Sequence, residues 1–310
     1  MPMPQSERAD TRPLHVRTQG FRAALTAAGV AVLIACHPAP TPEAVPPVQK
    51  LAAAPVRPVL EDHLLVTWYG NPRTSRMGVL GEYTGADLAA RLRKQAEAYA
   101  PFTTKKILPA YHLVATIAQP HAGRDRMWRR RETHATIRSL LEQARMHGFK
   151  LVLDVQTGRS TVRAELEYLR PYLEEPDVYL ALDPEFAMRE GETPGRRIGR
   201  MTAADVNDAI DVLTAIVRAR ALPPKVLIVH QFTMNMLRDK QMIVDSPLVD
   251  VVLDVDGFGD RPLKRAMYTM VIARPLEFAG IKLFYKEDTN LFAEADVMTL
   301  RPEPAVIIYQ

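Results

Sequence analysis

From about residue 60 to the C-terminus, short apolar runs alternate with longer segments in which apolar positions recur at helical spacing. The runs are Leu64–Trp68, Ile107–Ala115, Leu151–Val155, Val178–Asp183, Val226–His230, Val249–Val255, Ile281–Tyr285 and Ala305–Tyr309, most of them rich in β-branched residues. Their length and composition predict strands. Between them, Asp87–Ala98, Ala135–Met146, Val162–Leu173 and Ala203–Ala221 have helical period, and shorter helices fit near Asn235–Lys240 and Leu263–Ala273. The boundaries carry their own signals. Thr84 and Asp87 precede the first helix, Gly148 stops the second, and Thr202-x-x-Asp205 has the spacing of a capping box.

Strands that alternate with helices pair in parallel, because a parallel neighbour needs a long crossover. Eight such units in roughly 250 residues match an α/β fold of the (β/α)8, TIM-like barrel type, here over 61–310. An open doubly wound sheet shares the alternation. The connection after the seventh strand has no long helical pattern, so closure has least support there.

In such barrels the chemistry sits at the C-terminal ends of the strands. Read in order, those ends are Trp68-Tyr69-Gly70-Asn71, Tyr111-His112, Asp154-Val155-Gln156, Asp183-Pro184-Glu185, His230-Gln231, Asp254-Val255-Asp256, Tyr285-Lys286-Glu287 and Tyr309-Gln310. Alternation places Asp154 with Gln156, Asp183 with Glu185, and Asp254 with Asp256 on one face of each strand. Val178, Leu180 and Leu182 occupy the other face of the fourth strand, so its acids point into the mouth. Clustered buried carboxylates raise the pKa of at least one, and a proton held near neutral pH serves a general acid. The candidate catalytic set is Glu185, Asp183, Asp154, Asp254 and Glu287. The candidate substrate-binding set is Tyr69, Asn71, Tyr111, Gln156, His230, Gln231, Asp256 and Tyr285. The same acids could instead cap helices or pair with neighbouring bases.

The segment before the barrel has a different character. Arg8, Arg12, Arg17 and Arg22 precede an uncharged apolar stretch from Ala23 to Ala35, too short to span a bilayer. It ends in Leu33-Ile34-Ala35-Cys36, which resembles the bacterial lipobox. The resemblance implies a signal peptide over 1–35, lipidation of Cys36, and anchoring to the cell membrane or outer membrane, with His37 favouring the outer. From His37 to Pro58 seven prolines predict an extended tether, so 36–60 is a lipidated linker. Cys36 is the single cysteine, so the barrel holds no internal disulfide.

Leu182-Asp183-Pro184-Glu185 resembles the Asp-x-Glu that ends the fourth strand in chitinase-like TIM-barrel glycoside hydrolases, and the chain as a whole is similar to bacterial lipoproteins with a barrel domain. That resemblance implies Glu185 as the proton donor to the glycosidic oxygen and Asp183 as the group orienting an N-acetyl substituent. The two earlier acids of the motif are replaced by Val178 and Ala181. Other retaining glycosidases carry a nucleophile on the seventh strand, a place Glu287 would fill if it faces inward, with a carboxyl separation of about 5–5.5 Å. The expected activity is hydrolysis of a cell-wall or extracellular polysaccharide, and the alternative is a barrel that binds glycan or a protein partner without turnover.

Composition narrows this only slightly. The chain carries a net charge of +4, which falls near +2 without the leader and leaves no footprint for nucleic acid. The basic run from Arg124 to Arg131 is either a solvated face or a site for an acidic glycan, with Trp128 stacking on a sugar. His112, Asp154, Asp183, Glu185, His230 and Asp254 come from different strands and include metal-ligand types. Yet no His-x-His or His-Glu-x-x-His is present, so no metal or other cofactor is expected, with a metal-dependent hydrolase as the third alternative.

Overall fold

The computed structural model describes residues 57–273 and 278–310. The expected signal peptide, Cys36 and most of the expected proline-rich tether lie outside the described residues.

Eight parallel strands form one closed sheet. They are β1 His63–Gly70, β2 Lys106–Ala118, β3 Lys150–Val155, β4 Val178–Leu182, β5 Lys225–Gln231, β6 Val249–Val255, β7 Phe278–Leu283 and β8 Val306–Tyr309. Each pairs with its sequence neighbour, and β8 returns to β1 through Leu65 opposite Val306 and Trp68 opposite Tyr309. The sheet is therefore a closed TIM-like barrel and not an open one. Closure holds although the connection after β7 contains only a one-turn helix, Glu294–Val297.

Alternation sorts the strand residues into two apolar clusters. Leu64, Val66, Leu113, Leu153, Leu180, Leu182, Val229 and Leu253 face outward and meet the helices. Those helices are α2 Gly85–Glu97, α3 His134–Met146, α4 Val162–Leu173, α5 Ala203–Arg220, α6 Arg261–Ile272 and α7 Glu294–Val297, while α1 Val59–Asp62 packs against the interior instead. Leu65, Ala110, Val152, Ala181, Val226, Ile228, Val252 and Ile308 fill the interior. The helix starts are fixed locally. Thr133, Thr161 and Asp260 accept backbone N–H bonds at the starts of α3, α4 and α6, and Thr202 with Asp205 forms the capping box of α5. Each such cap contributes about 1 kcal/mol.

The segment expected to be helical near 235–240 is different. Met234–Met236 and Lys240–Met242 are single 3-10 turns, and Leu237–Arg238 pairs with Met201–Thr202 as a small parallel ladder. Met236 is buried at the end of the first turn and Leu237 at the start of the ladder, and Asp239 takes a left-handed backbone that ends any helix.

The floor of the barrel, at the N-terminal ends of the strands, is closed by α1. Leu60 enters the interior cluster, its N–H donates to the Asp250 carboxylate at 2.8 Å, and its carbonyl accepts from Lys105 Nζ.

Candidate functional site

At the opposite end of the barrel the inward positions turn from apolar to polar. Thr67 and Tyr69 come from β1, His112 from β2, Asp154 from β3, His230 from β5, Asp254 from β6 and Lys282 from β7. Gln156, Asp183 and Asp256 follow one residue beyond β3, β4 and β6. All are buried. The same parity that puts Leu180 and Leu182 under the helices puts Asp183 into the mouth.

The lower tier centres on His230. Its Nδ1 lies 2.8 Å from Asp254 Oδ2, and its Nε2 lies 3.1 Å from Asp154 Oδ2. His112 stacks beside it with ring centroids 5.8 Å apart, holds Thr67 Oγ1 through Nδ1 at 3.3 Å, and turns Nε2 toward Asp154 Oδ2 at 3.5 Å. Gly280 on β7 makes room for this tier, since a Cβ there would stand 2.9 Å from Asp254 Oδ1. Burial drives the His112 pKa down to about 4 despite the Asp154 charge. His230 is equally buried, but Asp154, Asp254 and Asp256 outweigh desolvation and lift it well above the ordinary histidine value.

In the upper tier, Asp183 Oδ2 accepts from Gln156 Nε2 at 3.1 Å, and its other oxygen accepts from the Glu185 amide at 3.2 Å. Lys282 Nζ sits 3.2 Å from both oxygens of Asp256 and 3.7 Å from the centre of the Tyr69 ring. Burial, reinforced by the Asp154 charge, pushes the Asp183 carboxyl up to about 8. Burial and then the Asp256 charge also raise Glu185. Desolvation opposes the Lys282 cation, but Asp256, Asp183 and Asp154 keep it charged.

This tier is the base of a cavity of about 580 Å³. Tyr69, Gln156, Asp183, Glu185, Asp256, Lys282 and Gln310 form its polar wall, while Phe186, Phe232, Phe258 and Phe284 form much of the apolar one. Phe258 is 61% exposed at the rim, edge-on to Phe284. A concave pocket with a few convergent polar groups under aromatic walls suits a ligand with both apolar faces and hydroxyls.

The structure thus brings Glu185, Asp183, Gln156, Asp256 and Tyr69 to one cavity, with Asp154, Asp254 and His230 directly beneath. The remaining candidates lie elsewhere. Tyr111 points outward, because His112 points inward, and packs edge-on against Phe149. Gln231 leaves the barrel by the same alternation and bonds the Thr233 carbonyl and Lys240. Asn71 is buried on Glu132 and the Val114 carbonyl. Tyr285 stacks on Tyr309 and reaches Gln95, beside a separate cavity of about 470 Å³ that Trp68 and Tyr83 also line.

Glu287 is exposed on the turn after β7 and does not line the main cavity. That turn is closed by Asp288, whose carboxylate accepts the Phe284 N–H and the Lys264 ammonium, leaving Glu287 at its outer corner. The inward group β7 supplies near its end is Lys282. A lysine alternating with Gly280 inside an apolar strand was its signal in the sequence.

The second half of the basic run is paired within the fold, while Arg124 and Arg126 are exposed. Arg129 and Arg131 both hold the buried Glu165, Arg130 pairs with Glu132, and Arg159 covers the Trp128 ring. No helix among the described residues is long and apolar enough to cross a membrane. No protein-family model matches the chain, and a search of curated proteins finds no relative, so the site is interpreted from its own geometry.

Proposed function

We propose that the protein is a glycoside-hydrolase-like enzyme acting on a cell-wall or extracellular polysaccharide, anchored to the envelope through Cys36. The observation that carries this reading is the Asp183–Glu185 pair on the wall of an aromatic-lined cavity at the C-terminal mouth of the barrel. Glu185 is the proton donor. It is half-buried, reaches the cavity, and has a raised pKa from burial and the Asp256 charge, as a general acid needs. Asp183, fixed by Gln156 and by the Glu185 amide, sets the position of that acid and faces the substrate. Phe186, Phe232, Phe258 and Phe284 give sugar rings apolar faces to stack on, and Gln156, Lys282 and Gln310 offer polar partners to hydroxyls.

With Glu287 outside the cavity, Asp256 is a further carboxyl that lines it beside Glu185, its pKa raised by burial against the opposing charge of its partner Lys282. Below its pKa Glu185 carries the proton to be donated, so turnover falls as pH rises through that value.

The test is release of soluble product from peptidoglycan and a panel of polysaccharides, with Glu185→Gln alongside. Product from the wild type and a loss of at least about 100-fold in the variant, the usual contribution of a general acid, supports the assignment. Undiminished turnover by a folded Glu185→Gln protein removes Glu185 from the role. Absence of product from both proteins, with saturable glycan binding by both, moves the function to a non-catalytic glycan-binding barrel.

A further inference from the structure

The lower tier has a geometry that hydrogen bonding alone leaves unfinished. Three groups from β2, β3 and β5 converge: His112 Nε2, Asp154 Oδ2 and His230 Nε2. The two histidine nitrogens lie 3.5 Å and 3.1 Å from that one carboxylate oxygen. Zinc–nitrogen and zinc–oxygen bonds of about 2.0–2.1 Å in a tetrahedron put neighbouring ligand atoms about 3.3 Å apart, so both separations match edges of such a shell.

Each histidine is also held through its other nitrogen, His230 Nδ1 by Asp254 and His112 Nδ1 by Thr67. That is the arrangement by which metal-binding imidazoles are oriented. His112 Nε2, one of the three converging atoms, is buried without a hydrogen-bond partner. Leaving such an atom unmet costs about 1–3 kcal/mol, and an ion held between the three groups would meet it.

We propose that His112, Asp154 and His230 bind a divalent transition-metal ion of the zinc type beneath the floor of the cavity, with Asp254 and Thr67 as the groups that orient the imidazoles. Two imidazoles and one carboxylate are the donor set of a zinc-type ion with one position left over, and hard ions such as Mg²⁺ prefer all-oxygen shells. None of the three ligands lines the cavity, and all three are fully buried. The ion therefore fixes the floor and its charge and does not contact the substrate. This inference is independent of the hydrolase reading, since Glu185 is not a ligand.

The full chain, stripped with a chelator, reloaded with Zn²⁺ or Co²⁺ and desalted, is assayed by elemental analysis and visible absorption. One ion per chain is expected, with a Co²⁺ d–d band, and chelator treatment should lower the melting temperature. His112→Gln and His230→Gln should each retain less than a tenth of the ion. Asp254→Asn should bind about 10–100-fold more weakly, the effect typical of losing an orienting partner. Glu185→Gln should bind as the wild type does.

The wild-type Co²⁺ form gives the answer without any substitution, because its shifted histidine N–H signals count the coordinated imidazoles, and two are expected. A folded wild type that retains no ion, or an ion kept equally by both histidine variants, overturns the proposal. The His230 ring is then an imidazolium shared by two carboxylates.

Discussion

At the scale of single residues, the mouth of the barrel is a problem in charge accounting. Asp154, Asp183, Asp254 and Asp256 crowd around His230 and Lys282, largely buried, at and beneath the base of the cavity. Asp183 yields, keeping its proton up to about pH 8, while an unfolded aspartate loses it near 3.9. The native state thus holds a proton that the unfolded state has released across that interval. Folding stability contributed by this group is complete below about pH 4 and is lost as pH rises toward 8. In chelator-treated protein, Asp183→Asn should flatten the decline of urea-unfolding stability between pH 5 and 8. An unchanged slope would show that Asp183 is already ionised in the native state. Legibility at this scale followed parity. Asp154, Asp183, Asp254 and Asp256 could be placed because alternation with Leu and Val fixed their face. Tyr111 could not share a face with His112, and Lys282 was passed over because the seventh strand was expected at Ile281–Tyr285 when it runs Phe278–Leu283.

At the scale of elements, the rim is built by segments that leave the barrel and are pinned back to it. The chain after β2 turns and returns as Arg129–Arg131, antiparallel to Thr116–Ala118. Glu165 on α4 pins it. Its carboxylate is fully buried and receives Arg129 at 2.9 Å and Arg131 at 2.7 Å. Removing Glu165 leaves partly exposed Arg131 without its carboxylate and Arg129 with only Asp125, so Glu165→Ala should cost roughly 2–3 kcal/mol in urea unfolding, below the range for a wholly buried pair. A loss below 1 kcal/mol would mean that water already satisfies those arginines. Such pairings were hidden in the sequence, because a run of arginines reads the same whether it meets solvent or a glutamate 34 positions away. The helix expected near Asn235–Lys240 failed for a related reason. Leu237–Arg238 is drawn into a ladder whose partner, Met201–Thr202, lies far off in sequence.

At the scale of the molecule, the fold was the most legible feature, since eight strands of one type separated by crossovers leave few topologies. Closure was not, because it depends on the register of β8 against β1 and needs no long helix after β7. The floor is part of that closure. Deleting the chain through Asp62 should remove the Leu60 plug, bare the Asp250 carboxyl, and lower the melting temperature by several degrees, as expected for losing about 2 kcal/mol of buried leucine. An unaltered melt would show that the interior seals itself.

The position of that plug also sets a direction. The described chain enters at Arg57 on the face where the strands begin, and the cavity opens where they end. A bulky group fused ahead of Arg57 should therefore leave the aromatic mouth unobstructed, because attachment at the base and entry to the cavity use opposite ends of the barrel.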